Sequence, residues 1–144
     1  MNPDTGGAAP LRALLVATGD TLCALPLSQV RQVVRALPLH PLPGATAELL
    51  GLAEFSGEPV AVLDLARLIG AAPAARPLHP VTVLAWAGPA EARELVGLAA
   101  DAAIEIVSIA PDAVAAVSTG VVTGEVTVAG RAARVLDLQE LGRP

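Results

Sequence analysis

The sequence predicts an all-β protein made of two similar, packed β-barrels with only short helical turns. Three observations support this fold class. Turn residues divide the 144-residue chain into many short apolar segments, which is typical of barrels and not of a parallel sheet with long helices. A motif recurs about half a chain length apart. The composition is 53% hydrophobic and 16% charged, so the chain has enough apolar residues for a core.

The first two predicted strands, 11–18 and 21–27, are joined by Gly-Asp at 19–20, which favours a β-hairpin. Ser28 follows as a candidate N-cap. The next residues predict a short helix because three valines have helical spacing. These valines are Val30, Val33 and Val34.

After a proline-rich loop, strands are predicted at 48–55 and 59–63, on either side of a Ser-Gly-Glu turn. Asp64 is placed to cap one helical turn, which Gly70 would end because glycine tolerates the left-handed conformation after a helix. Residues 71–80 are rich in proline and alanine and predict a linker.

The second half of the chain repeats the strand signals of the first half, and its last two strands close on an Ala-Gly turn. The predicted strands are 81–87, 94–100, 105–109, 119–129 and 131–136.

An internal repeat relates the two halves. GEPVAVLDLARL at 57–68 is echoed by GRAARVLDLQEL at 130–141, an offset of 73 that also aligns 22–34 with 95–107. Two matches at one offset indicate two similar subdomains. Each subdomain is too small to bury much core alone, so the surface between them should be apolar.

Charge and aromatic content argue against nucleic-acid binding. The net charge is −5, the nine basic residues are all arginines, and the aromatic residues are Phe55 and Trp86. Binding to nucleic acid needs a basic face or stacking platforms. No apolar run reaches the ~18 residues of a membrane span. Residues 1–10, expected to be disordered, lack the features of a signal peptide. With a single cysteine, the protein is expected in the cytoplasm.

The residues that could carry chemistry form no recognisable catalytic site. His40 and His79 neighbour prolines and are expected in solvated loops, while an apolar alternation predicts that the Cys23 thiol is buried. Asp64 and Asp137 occupy equivalent positions where a carboxylate caps the next turn. No metal-ligand spacing or phosphate-binding glycine motif occurs. We expect no enzymatic activity, metal or cofactor, and protein partners on exposed apolar patches.

Over residues 11–141 the chain resembles the CheW-like domain family. The resemblance is carried by LLVATGDTLCALPLSQVRQVV near the start, GEPVAVLDLARLIG in the middle, and LVGLAADAAIEI and GRAARVLDLQEL in the second half. It implies two five-stranded SH3-like β-barrels without an active site. Together with the repeat, it places the subdomains at about 11–74 and 75–141.

The resemblance also implies a function. Members of this family are adaptors in bacterial chemotaxis that bind the regulatory domain of a CheA-type histidine kinase and the cytoplasmic tip of a methyl-accepting chemoreceptor. The family commonly carries N-x-R-G before V-x-D-L, where this chain reads E-F-S-G with Ser56 in place of the arginine. The implied receptor groove lies between the barrels, near Val30, Val33, Val81 and Ile106.

Two alternatives stay open at this point. In one, the chain serves a chemosensory pathway that controls pili or gene expression. In the other, it senses a small molecule bound between the barrels, although few convergent polar groups are predicted there. Gene neighbourhood separates the pathways, and a ligand-induced rise in melting temperature would indicate a sensor.

Overall fold

The computed structural model of the protein describes residues 9–71 and 79–141, so most of the segment 1–10 and most of the linker 71–80 expected from the sequence lie outside it. One short helix, α1 (Leu65–Leu68), and several 3-10 turns connect eleven strands in this part of the chain. The strands are β1 (Leu11–Thr18), β2 (Thr21–Pro26), β3 (Val30–Arg35), β4 (Leu49–Phe55), β5 (Glu58–Asp64), β6 (Val81–Ala87), β7 (Glu94–Ala100), β8 (Ala102–Ile109), β9 (Ala115–Thr119), β10 (Val122–Val128) and β11 (Arg131–Leu136).

Each of the two sheets combines strands from both sequence repeats. The six-stranded sheet has the order β8-β1-β2-β11-β10-β9, and the five-stranded sheet has the order β3-β6-β7-β5-β4. The offset of 73 relates β2 to β7, β3 to β8, β4 to β10 and β5 to β11. The all-β fold with two subdomains is confirmed.

The repeats exchange strands. The parallel pairs β2–β11 and β5–β7 link strands from different halves of the chain. As a result, β1 and β2 belong to the sheet of the last strands, whereas the strands from β3 to β7 form the other sheet. The predicted division into 11–74 and 75–141 therefore does not coincide with the boundary between the two sheets.

Residues 30–35 form a strand, so the helix predicted after Ser28 is wrong. Ser28 lies in the 3-10 turn Leu27–Gln29, whose N-terminus has no side-chain capping hydrogen bond, and β3 pairs antiparallel with β6. Half of the residues in β3 are valines, whose branched side chains favour strands. Val30 and Val33 therefore do not share a helical face.

The strand predicted at 119–129 is present as β10, but its predicted start is wrong, because Thr119 is the last residue of a separate strand, β9. Gly120, with φ of +59°, lies in the turn between them. Strand β9 has the sequence AAVST and is mostly exposed at the edge of its sheet, so it lacks the apolar alternation of the other strands. This strand gives six strands where five were expected.

The largest apolar cluster of the described residues joins the two sheets. Successive side chains of a strand point to opposite faces, so Leu14 and Val16 of β1 enter this shared cluster while Leu15 packs in a separate cluster of the six-stranded sheet. The shared cluster supports the predicted apolar surface between the subdomains. Its most buried large residues are Leu25, Leu65, Val83, Leu98, Leu136 and Leu138.

Asp64 and Asp137 cap equivalent helical turns, which confirms the prediction from the repeat. In each, Oδ1 accepts a hydrogen bond from the backbone N–H two residues ahead, at 3.1 Å and 2.9 Å. Oδ1 of Asp137 also accepts from Nε2 of Gln29 at 2.8 Å, and Oε1 of Gln29 accepts from the N–H of Leu138 at 2.9 Å. This Gln29 clamp ties the crossover from β2 to β3 onto the turn after β11.

Candidate functional site

The four aliphatic residues implied for a receptor groove fall into two environments. Val33 and Ile106 are exposed, with 41% and 50% of their surface accessible. Val30 and Val81 are partly buried and pack against the shared cluster. Only the first pair offers a substantial apolar surface to a partner, whereas the second pair contributes to the packing of the sheets.

Val33 and Ile106 are equivalent in the repeat and lie on β3 and β8, the outermost strands at one end of each sheet order. An outermost strand leaves a row of backbone N–H and C=O groups without a strand partner, so it is a common place for association. Ile104, two residues before Ile106 on β8, is also exposed, at 46%. The β1–β8 register shifts at this point, which makes Ile104 the extra residue of a β-bulge, and both isoleucines of β8 are accessible.

Ser56 lies on the exposed turn between β4 and β5. Its φ is +52°, and that of the following Gly57 is +82°. Two successive residues with positive φ are typical of a type I′ turn, which matches the right-handed twist of the flanking strands. The tight turn fixes Ser56 directly beside Phe55, the last residue of β4.

The two aromatic residues of the chain meet two arginines, an arrangement that the sequence did not predict. The guanidinium carbon of Arg31 lies 5.5 Å from the ring centroid of Phe55 and 5.9 Å from that of Trp86. That of Arg93 lies 4.5 Å from the centroid of Trp86. We call these four residues the aromatic–arginine cluster.

The contacts within the cluster also indicate the shape of the five-stranded sheet. Arg31 is on β3 and Phe55 is on β4, the strands at opposite ends of the sheet order. Their contact means that the sheet curls until its two ends approach, as in a barrel. The only sequence signal for this cluster is the scarcity of aromatic residues, which does not indicate that the two would meet.

The cysteine and the two histidines considered in the sequence differ in how deeply they are buried. Cys23 is buried, as predicted, and burial raises its pKa to about 12 against a smaller opposing effect of Arg134. The thiolate needed for nucleophilic attack is therefore disfavoured at neutral pH. His40 is exposed, as predicted. The prediction for His79 is wrong, since its side chain is only 18% exposed and its Nε2 lies 3.8 Å from Oδ2 of Asp64.

The described residues contain neither a metal-binding cluster nor a membrane-spanning helix. Within 9–71 and 79–141, no three His, Cys, Asp or Glu side chains converge in a way that could hold a metal ion. Among the same residues, no helix has the length and apolar character needed to cross a bilayer.

Comparisons with known proteins agree with this architecture. The family model of the CheW-like domain matches residues 12–143. The crystal structure of the scaffolding protein TtCheW from Thermoanaerobacter tengcongensis has a similar fold, with a TM-score of 0.76 and 18% sequence identity over 94% of this chain and 94% of that chain. No curated protein matches the sequence. Since the family model spans nearly the whole chain, the protein belongs to the CheW-like domain family.

Proposed function

We propose that the protein is a non-enzymatic adaptor of bacterial chemotaxis that couples methyl-accepting chemoreceptors to a CheA-type histidine kinase. The observation that carries the proposal is the match of the CheW-like family model to residues 12–143, which supports a chemotaxis scaffold. The adaptor acts in the cytoplasm and is recruited to receptor arrays at the membrane. It binds two proteins, the regulatory domain of the kinase and the cytoplasmic tip of the receptor.

In this proposal the receptor tip lies along β3 and β8. Val33 and Ile106 supply the apolar contacts because they are the accessible residues of the implied groove. Val30 and Val81 hold the same surface in place through their packing on the shared cluster. Ser56 adds a polar contact from the exposed β4–β5 turn. A receptor helix that covers the exposed aliphatic side chains removes their apolar surface from water.

Calorimetric titration with the kinase regulatory domain and, separately, with a receptor hairpin tests the proposal. We expect both to bind with Kd below ~100 μM. Val33→Asp and Ile106→Asp should each weaken receptor binding about 30-fold, because a charge replaces an apolar contact of hot-spot size. Binding of the kinase domain, which uses other surfaces, should be unchanged.

Leu42→Asp is the matched control. Leu42 is 42% exposed, nearly the same as Val33, but it lies in the loop between β3 and β4. This variant should bind both partners with wild-type affinity. A wild-type protein that binds neither partner refutes the adaptor function. Equal receptor affinity for the Val33→Asp, Ile106→Asp and Leu42→Asp variants refutes the assignment of the surface.

A further inference from the structure

The aromatic residues of the chain lie at its surface and not in its core. Phe55 and Trp86 are both partly exposed, whereas the buried residues of the apolar clusters are aliphatic apart from Cys23. Tryptophan and arginine are among the residues most enriched where binding energy concentrates in protein interfaces. The aromatic–arginine cluster therefore has the composition of an interface.

The cluster lies on the face of the five-stranded sheet that is opposite to Val33. Val33 pairs with Val83 on β6, and directly paired residues share a face. Trp86 comes three residues after Val83, so its side chain points to the other face. The guanidinium of Arg31 lies over the Trp86 ring and belongs to that second face. A partner that covers the cluster therefore leaves Val33 open.

The charges around the cluster are mixed. Arg31 and Trp86 line an open cleft of about 380 Å³ together with Glu58 and Glu94. Both arginines of the cluster and both glutamates are exposed, and the salt bridges among the described residues all involve Asp64. The patch thus offers two cations and two anions to the charges of a partner.

A patch with this charge pattern is complementary to its own copy. In a two-fold dimer the same surface meets itself, so each contact between two residues occurs twice. An arginine that faces a glutamate across the axis is therefore matched by the reverse pair. Stacking on a ring occupies the face of a guanidinium and leaves its edge for a carboxylate. A wholly acidic or wholly basic partner would meet two like charges here, which is unfavourable, whereas a second copy supplies an opposite charge for each of the four.

We propose that the aromatic–arginine cluster is the interface of a two-fold dimer of this chain. The guanidinium groups of each copy pair with the Glu58 and Glu94 carboxylates of the other copy, and the two Trp86 rings lie within the interface. Because Val33 is on the opposite face of the sheet, the dimer leaves it open on both copies. The dimer would then present two receptor surfaces, a consequence that rests on the proposed adaptor function.

Charge reversal tests the interface. Arg31→Glu/Arg93→Glu makes the patch wholly acidic, and Glu58→Arg/Glu94→Arg makes it wholly basic. In sedimentation velocity, the wild-type protein should form a dimer with Kd below ~100 μM. Each variant alone should dimerise at least about 100-fold more weakly, because like charges then face each other twice. An equimolar mixture of the two variants should restore the dimer, because an acidic patch then meets a basic one.

Arg12→Glu/Arg35→Glu is the matched control. It makes the same change in net charge at two exposed positions outside the patch, and it should dimerise nearly as well as the wild-type protein. Circular dichroism melts verify that the variants are folded. The basic variant carries the test even if the acidic one does not fold, since Glu58 and Glu94 take part in none of the salt bridges among the described residues.

Fluorescence provides a second measurement that is specific to the patch. Trp86 is the only tryptophan of the chain, so its emission reports on this surface alone. Dilution of the wild-type protein should shift the emission to longer wavelength as the ring becomes exposed to water, with the midpoint found by sedimentation. Neither charge-reversed variant should show this shift by itself, and the mixture should show it.

Three results would overturn the inference. These are a wild-type protein that stays monomeric at ~500 μM, a dimer that both charge-reversed variants retain, and a mixture of the variants that does not dimerise. The measurements need only the chain itself, so the adaptor function stands or falls separately, in the titrations with the kinase domain and the receptor.

Discussion

Removal of the Gln29 clamp should destabilise the whole protein, although Gln29 lies in a short turn outside the apolar clusters. Gln29→Ala removes the hydrogen bond to the Asp137 carboxylate and leaves the N–H of Leu138 without its acceptor. A hydrogen bond to a charged group contributes about 1.5–3 kcal/mol, and an unsatisfied polar group costs a comparable amount when water cannot reach it. Since the clamp is only partly buried, we expect a loss of about 2–4 kcal/mol in the free energy of unfolding.

Urea titration followed by circular dichroism measures this loss. The midpoint should fall while the m-value stays constant, because the folded surface is unchanged. At about 3 °C per kcal/mol for a domain of this size, the melting temperature should fall by about 6–12 °C. Gln32→Ala is the control, since Gln32 is exposed on β3 and its replacement should cost less than ~0.5 kcal/mol. Equal stability of the two variants would refute the clamp.

Gln29→Glu sharpens the experiment. The substitution keeps the shape of the side chain but places a carboxylate against that of Asp137, so at pH 7 the two charges repel. The variant should be less stable than Gln29→Ala at pH 7. It should recover relative to Gln29→Ala below about pH 4, where carboxyl groups take up protons. A difference that does not depend on pH would contradict the proposed contact with Asp137.

Three further predictions use the same stability assays. Ile106→Asp should unfold at nearly the wild-type temperature because Ile106 is half exposed, whereas Val81→Asp should lose several kcal/mol because it places a charge against the shared cluster. The Cys23 thiol should react with a thiol reagent only after unfolding. Because folding raises the pKa of this thiol from 9.0 to about 12, the free energy of unfolding should fall as the pH rises above about 9. Cys23→Ala should remove that pH dependence. Gly51→Ala should destabilise the protein more than Gly44→Ala, because an added Cβ at Gly51 would meet a backbone oxygen at 2.7 Å and at Gly44 would meet nothing within 4 Å, so only backbone strain acts at Gly44.

Most of the fold follows from the sequence because turn residues and apolar alternation are local signals. The hairpins at 19–20 and 129–130 and the cap at Asp64 need only a few neighbouring residues to specify them. The misassigned segment 30–35 shows the limit of such signals. Three valines in a short run fit helical spacing and strand propensity equally, and only pairing with β6 decides between them.

The pairing of strands from different repeats was not predictable from the repeat itself. The offset of 73 shows which segments are alike, but it does not show with which of two equivalent strands a given strand pairs. β5 could pair with β2 or with its equivalent β7, and the structure has β7. A choice of this kind depends on loop lengths and on packing between the sheets, which are non-local.

The residues implied for the receptor groove differ in exposure, which the sequence did not show. The resemblance indicated Val33 and Ile106, and the structure leaves both exposed on outermost strands. The sequence could not separate them from Val30 and Val81, since all four are β-branched aliphatic residues. The aromatic–arginine cluster could not be predicted from the sequence for a different reason. Phe55 and Trp86 approach the same arginine only because the sheet curls on itself.

The exchange of strands between the repeats has a consequence for synthesis on the ribosome. The five-stranded sheet is complete once residue 100 has emerged, but β1 and β2 must wait for β8 and β11. At about 10 residues per second, the interval between the emergence of β2 and that of β11 is roughly ten seconds. During this time a hairpin that is destined to bury both faces remains uncovered. The nascent chain should therefore be a transient client of ribosome-associated chaperones.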